Sequence, residues 1–111
     1  MVSFLQVEAM VQDKKELFAL LRNHEEKIRD LGVKRLGLFG SFARGEQNQD
    51  SDVDMIVEFE RDQKTFDHFV HLAFLLEDLF ERRVEVVTPE SLSPYLKPHI
   101  TKNIEYVSFR S

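Results

Sequence analysis

The side chains best able to do chemistry stand in two short stretches and at one isolated position. Asp52 and Asp54 lie two residues apart, just before the apolar run Met55, Ile56, Val57. Alternation puts Val53, Met55, Val57 and Phe59 on one face of a strand, and Asp52, Asp54, Ile56 and Glu58 on the other. At a rise of roughly 3.3 Å per residue the two acids have Cα atoms about 6 to 7 Å apart, and both side chains leave the sheet in the same direction. Like charges held that close repel unless a cation sits between them or one takes up a proton. The economical resolution is Mg²⁺, a hard ion that binds through one or two carboxylates plus substrate phosphates. Two such ions about 3.5–4 Å apart would clamp the attacking and leaving oxygens of a phosphoryl-type displacement.

A second stretch supplies contacts for phosphate. Gly40 ends the apolar run Leu36-Gly37-Leu38-Phe39, where glycine can take dihedrals closed to other residues. Ser41 follows, and its hydroxyl, with the free N–H groups of a short helical turn through Phe42, Ala43 and Arg44, could receive a phosphate. Arg44 adds a fork of donors for the same anion, and Gly45 lets the chain turn back. The isolated position is Glu85, alone among apolar neighbours in Arg82-Arg83-Val84-Glu85-Val86-Val87-Thr88, a strand by its β-branched content. An unpartnered carboxylate in such a strand is costly to bury, so either its face is open to solvent or something cationic meets it.

Leu38-Phe39-Gly40-Ser41-Phe42-Ala43-Arg44-Gly45, followed by Ser51-Asp52-Val53-Asp54, resembles the signature of the DNA polymerase β-like nucleotidyltransferases. The wider pattern is similar to their minimal branch, the MntA-type antitoxins paired with HEPN-domain toxins, and the likeness runs from about Val33 to Leu92. That resemblance implies an α/β (α+β) fold, a small mixed β-sheet flanked by helices. It implies ATP as substrate and two Mg²⁺ ions held by Asp52, Asp54 and Glu85, with Gly40, Ser41 and Arg44 binding the nucleotide. It also implies transfer of AMP to a hydroxyl, a tyrosine of a cognate HEPN RNase toxin, and a hetero-oligomer with that toxin. Glu85 departs from the family pattern, which usually has the shorter Asp there, and metal geometry at a reacting oxygen is sensitive to one methylene. A non-catalytic antitoxin that neutralises its toxin by complex formation is therefore the alternative.

The elements that must carry these residues follow from periodicity. Residues 3–22 read as an amphipathic helix through Val7, Met10, Val11, Leu17, Phe18 and Leu21, with Met10 as core filler. Asn23 is expected to cap a second helix over 24–31 in a capping box with Glu26, and Gly32 to end it. Val33 to Phe39 form the first strand, and Gly37 within it marks a bulge or a close approach of another backbone, that of a nucleotide included, with packing the favoured reading. Ser51 either orients a carboxylate or belongs to the turn that enters the strand. Thr65 caps a helix running to Phe80 whose buried face takes in Phe66, Phe69, Val70, Ala73, Leu76 and Phe80. His68 and His71 on it have no third ligand nearby in sequence and are read as helix-margin residues. Thr88-Pro89-Glu90 reads as a helix start capped by Thr88, a device that Ser93-Pro94 repeats, and a helix from Tyr95 to Ile104 is expected to break near Pro98. Ile104 to Phe109 either folds back on the core or forms a docking surface.

At 111 residues, 42% hydrophobic with ten Phe, the chain suits one domain (1–111) with helical segment 3–31, catalytic core 33–92 and tail 93–111. A net charge of −5 disfavours direct nucleic-acid binding. Absence of cysteine fits a reducing cytoplasm. Acids arrive too early for a signal peptide, and no apolar run approaches the roughly 20 residues of a membrane span.

Overall fold

The computed structural model describes residues 10–109. Their order is α1 (Lys14–Asn23), α2 (Glu25–Asp30), β1 (Val33–Phe39), α3 (Gly40–Arg44), β2 (Val53–Phe59), α4 (Phe66–Phe80), β3 (Val84–Val87), a 3₁₀ turn (Pro89–Ser91), α5 (Lys97–Thr101) and β4 (Glu105–Ser108). The four strands form one mixed sheet in the order β3-β2-β1-β4. β1 runs antiparallel to both β2 and β4, and β2 is parallel to β3. The parallel pair is joined by α4, as a crossover between parallel strands requires.

One face of the sheet carries the core. Leu36 and Leu38 of β1 and Val53, Met55 and Val57 of β2 are fully buried, together with Leu17 and Leu21 of α1, Ile28 of α2 and Leu72, Leu76 and Phe80 of α4. The strand alternation of the sequence is therefore realised as expected, with Asp54, Ile56 and Glu58 on the opposite face. Over that second face, Ile104 and Tyr106 close on Gly37. A Cβ added at Gly37 would stand 2.7 Å from Ile56 Cγ2 and 2.8 Å from Tyr106 Cε1, so this glycine serves packing. The irregularity in β1 lies instead between Val33 and Arg35.

Four local expectations are corrected and one open alternative is settled. The first helix does not run continuously to residue 22 from position 10. It starts at Lys14, because the Asp13 side chain accepts from Glu16 N at 2.9 Å, while Val11 is drawn out to bond Phe80 O. Its expected residues 3–9, Val7 included, lie outside the described residues. Asn23 ends α1 instead of capping α2, where His24 holds the cap position and no side-chain cap forms. Phe66 is 81% exposed. At 100° per residue it sits about 80° around from Leu76, and it occupies the opening turn of α4. Pro98 lies in the first turn of α5, where its missing N–H costs nothing, so the helix begins there instead of breaking. The last apolar stretch is β4, with Val107 and Phe109 buried, which resolves the docking-or-folding alternative in favour of folding. The Thr65 cap of α4 is present, accepting from His68 N at 3.1 Å. No helix among the described residues is long and apolar enough to cross a membrane.

Candidate active site

The two motifs meet because the β1–β2 register brings them together. Phe39, the last residue of β1, pairs with Asp54, which places Gly40 directly beside the Asp54 side chain. Gly40 has φ +77°, and a Cβ built on it would fall into the Asp54 carboxylate. Only glycine satisfies both demands at once. α3 then starts at Gly40 without a side-chain cap from Phe39, leaving its leading N–H groups to another acceptor. Gly45, at φ +73°, closes α3 in a left-handed residue. Ser41 is half-buried at the front of this turn, and Phe42 behind it is buried in the core.

The third acid arrives from the other side. Parallel pairing sets Asp54 opposite Glu85, so Asp52, Asp54 and Glu85 share one face of neighbouring strands. Glu85 is exposed, which answers the open question of its cost: its face looks onto solvent. The Asp54 carboxyl is pushed up to about 6, chiefly by burial, then by the charges of Glu85 and Asp52, with Arg44 pulling weakly the other way. Hard oxygen donors whose repulsion the protein leaves uncompensated fit a divalent cation. As the side chains stand, no three acids among the described residues already enclose such an ion.

The remaining candidates divide. Arg44 Nε holds Glu46 Oε1 at 2.8 Å, a solvent-exposed pair of the weak kind that a phosphate can displace. Ser51 does not reach a carboxylate: its Oγ accepts from Asn48 N at 2.9 Å, making it a turn residue. His68 Nδ1 lies 2.7 Å from Gln63 O at the start of α4.

Two neighbours of these residues escaped the sequence. Lys14 Nζ donates to Ala43 O at 3.2 Å and to Glu105 at 2.7 Å, tying the end of α3 to β4. Arg82, 7% exposed, donates to Val11 O, Asn48 O, Gln49 O and Ser51 O, and its guanidinium stacks 4.9 Å from the Phe42 ring. Burial lowers its pKa. The available signal was parity carried back from β3: Arg82 and Val84 are buried while Arg83 and Glu85 are exposed.

Known proteins resemble this chain in sequence and in fold. Residues 21–107 match the family model described as nucleotidyltransferase domain, a longer span than the motifs alone cover, and one that takes in β4. A Methanocaldococcus jannaschii protein named "Putative protein adenylyltransferase MJ1379" is 38% identical over 83% of this chain and 95% of its own length. The protein adenylyltransferase MntA of Thermococcus cleftensis is 36% identical over 83% of this chain and 93% of its own. A structure titled "Structure of putative minimal nucleotidyltransferase" superposes with a TM-score of 0.66 at 33% identity, covering 85% of this chain and 95% of the other. A toxin–antitoxin structure with AMP-PNP shares the fold, with a TM-score of 0.61 at 24% identity over 86% of this chain and 72% of that one.

Proposed function

Because this chain belongs to the nucleotidyltransferase domain family, we propose that it moves AMP from ATP to a hydroxyl, that of a tyrosine on a cognate HEPN-domain toxin, and so neutralises the toxin. The observation that carries this is the single cluster in which Asp54 lies between the Gly40–Ser41 turn and Glu85. The acceptor oxygen forms a bond to the α-phosphorus of ATP, the bond from that phosphorus to pyrophosphate breaks, and Glu85 takes the hydroxyl proton. Asp52, Asp54 and Glu85 would hold one or two magnesium ions, which supply charge neutralisation for the phosphates. The Gly40–Ser41 turn receives the terminal phosphates, with Arg44 released from Glu46 to assist. Such transfers rest on positioning and electrostatics, so few side chains suffice. Relatives named as adenylyltransferases, MntA among them, support the reaction class, and the toxin–antitoxin fold neighbour supports the kind of partner.

The test is incubation of the chain with Mg²⁺, α-labelled ATP and the neighbouring gene product. Label should pass to the partner with wild type and not with Asp52→Asn or Asp54→Asn. Absence of label with wild type sinks the proposal.

A second reading, stoichiometric neutralisation without transfer, draws on Glu85 in place of the family's shorter acid. The apolar C-terminal segment lends it no support, since that segment is built into the sheet as β4. On this reading the Asp52→Asn, Asp54→Asn double variant still protects cells from the toxin.

A further inference from the structure

Arg82 is a buried cation whose described hydrogen bonds all go to backbone carbonyls. Its Nε donates to Val11 O at 2.7 Å. Nη1 donates to Asn48 O at 2.9 Å, Gln49 O at 3.2 Å and Ser51 O at 2.9 Å, sharing two hydrogens among three acceptors. These carbonyls belong to the irregular segment that delivers the chain to Asp52. On the far side of Asp52, Val53 N donates to Arg83 O at 3.0 Å. Asp52 is thus held at both flanking peptides by residues 82 and 83, three and two positions ahead of Glu85. The same guanidinium lies 4.9 Å from the ring of Phe42, the residue after Ser41.

We propose that Arg82 is a positioning residue for nucleotidyl transfer, fixing Asp52 against the Gly40–Ser41 turn through Nη1, which donates to the carbonyls of Asn48, Gln49 and Ser51, while Nε anchors the guanidinium to Val11 O. The proposal rests on the transfer function given above. Phe42 is buried in the core and α3 has its own backbone bonds, so the turn keeps its shape without Arg82. The 48–51 segment has only the short Asn48–Ser51 and Asn48–Asp50 bonds of its own, so it is the part that shifts. Lysine carries a single ammonium and cannot span Val11 and the loop together, which makes Arg82→Lys the informative change.

The experiment compares wild type, Arg82→Lys and Val107→Ala, the last a destabilising change in β4 away from the acids. Each is assayed at a temperature where circular dichroism shows it folded. Arg82→Lys should lower kcat at least about tenfold and raise the Mg²⁺ concentration for half-maximal rate, with the KM for ATP within about threefold of wild type. Amide hydrogen exchange across residues 48–53 should quicken at least about tenfold in the same variant. Val107→Ala should lower the melting temperature while leaving kcat and that exchange within about twofold of wild type. A kcat for Arg82→Lys within twofold of wild type, an equal fall in Val107→Ala, or unchanged exchange at 48–53 overturns the proposal. If wild type itself transfers no AMP, the transfer function fails separately, and unchanged exchange at 48–53 in Arg82→Lys would still refute the hold on Asp52.

Discussion

Asp54 and Glu58 stand on the same strand and the same face, four residues apart, and the protein treats them in opposite ways. Glu58 pairs across the sheet with Arg35, whose Nη2 and Nε lie 2.8 and 2.9 Å from its carboxylate. Arg35 in turn stacks 3.8 Å over the Tyr106 ring, and its hydrogen bond to Glu58 raises its pKa. Asp54 has Glu85 opposite and Asp52 beside it, both acids, and its own pKa rises to about 6. A fold able to place Arg35 at one end of the face could have placed a cation at the other. Leaving Asp54 uncompensated costs stability and reserves the position for something brought from outside.

The largest test of that contrast is Asp54→Asn. Transfer to the partner should fall at least about a thousandfold, since charge stabilisation at the reacting phosphorus is lost, while the fold survives and its melting temperature does not drop. Next comes the contact that joins the motifs. Gly40→Ala forces a Cβ into the Asp54 carboxylate at φ +77°, and should cost about 1–3 kcal/mol of stability with at least about a hundredfold loss of transfer. Gly45→Ala is its control: φ is similar at +73° but nothing lies within 4 Å of the new Cβ, so only about 1 kcal/mol of backbone strain is expected. Denaturant melts and label transfer on both variants read the difference, and equal losses of transfer would dissolve the special status of the Gly40–Asp54 contact.

The strands and the local placement of the candidate residues on them were legible in the sequence. Alternation along a strand puts Asp52 and Asp54 on one face, and the end of β1 calls for glycine at 40, both local properties of the chain, whereas the face of Glu85 stayed open until β3 paired with β2. The failures are nonlocal. Whether Ile104 to Phe109 folds back depends on an edge of β1, seventy residues earlier, being free to pair. Asn23 lost its capping role because α1 and α2 adjoin at His24, whose N–H still bonds back to Leu20 and Leu21. Arg82 was missed since its partners come from residues 11, 42 and 48–51, which no window of sequence brings together.

A pH series sharpens the Asp54 half of the comparison. Its carboxyl titrates near 3.8 when unfolded and about 6 when folded, so the folded state binds the proton more tightly. The stabilising contribution is complete below about 3.8, declines as pH rises, and is gone once pH has passed about 6. Asp54→Asn should therefore exceed wild type in stability at pH 8 by about 1–2 kcal/mol, after discounting for solvent screening, and the two should converge near pH 4. Mg²⁺ should narrow the gap at pH 8. A wild type that is the more stable at pH 8 without Mg²⁺ would mean that Asp54 has a compensating cation after all.

The smallest effect belongs to the other end of the strand. Glu58→Gln removes a charge from a pair whose side chains are 27% and 38% exposed, where water already screens much of the attraction. Its cost in a denaturant melt should be below about 1 kcal/mol, and the glutamine oxygen can still accept from Arg35. Label transfer should change by less than about twofold, because Arg35 and Tyr106 remain stacked and neither reaches the acids. A loss of transfer comparable with that of Asp54→Asn would show that the Arg35 pair takes part in the chemistry, and the division of this face into a completed end and a reserved end would have to be abandoned.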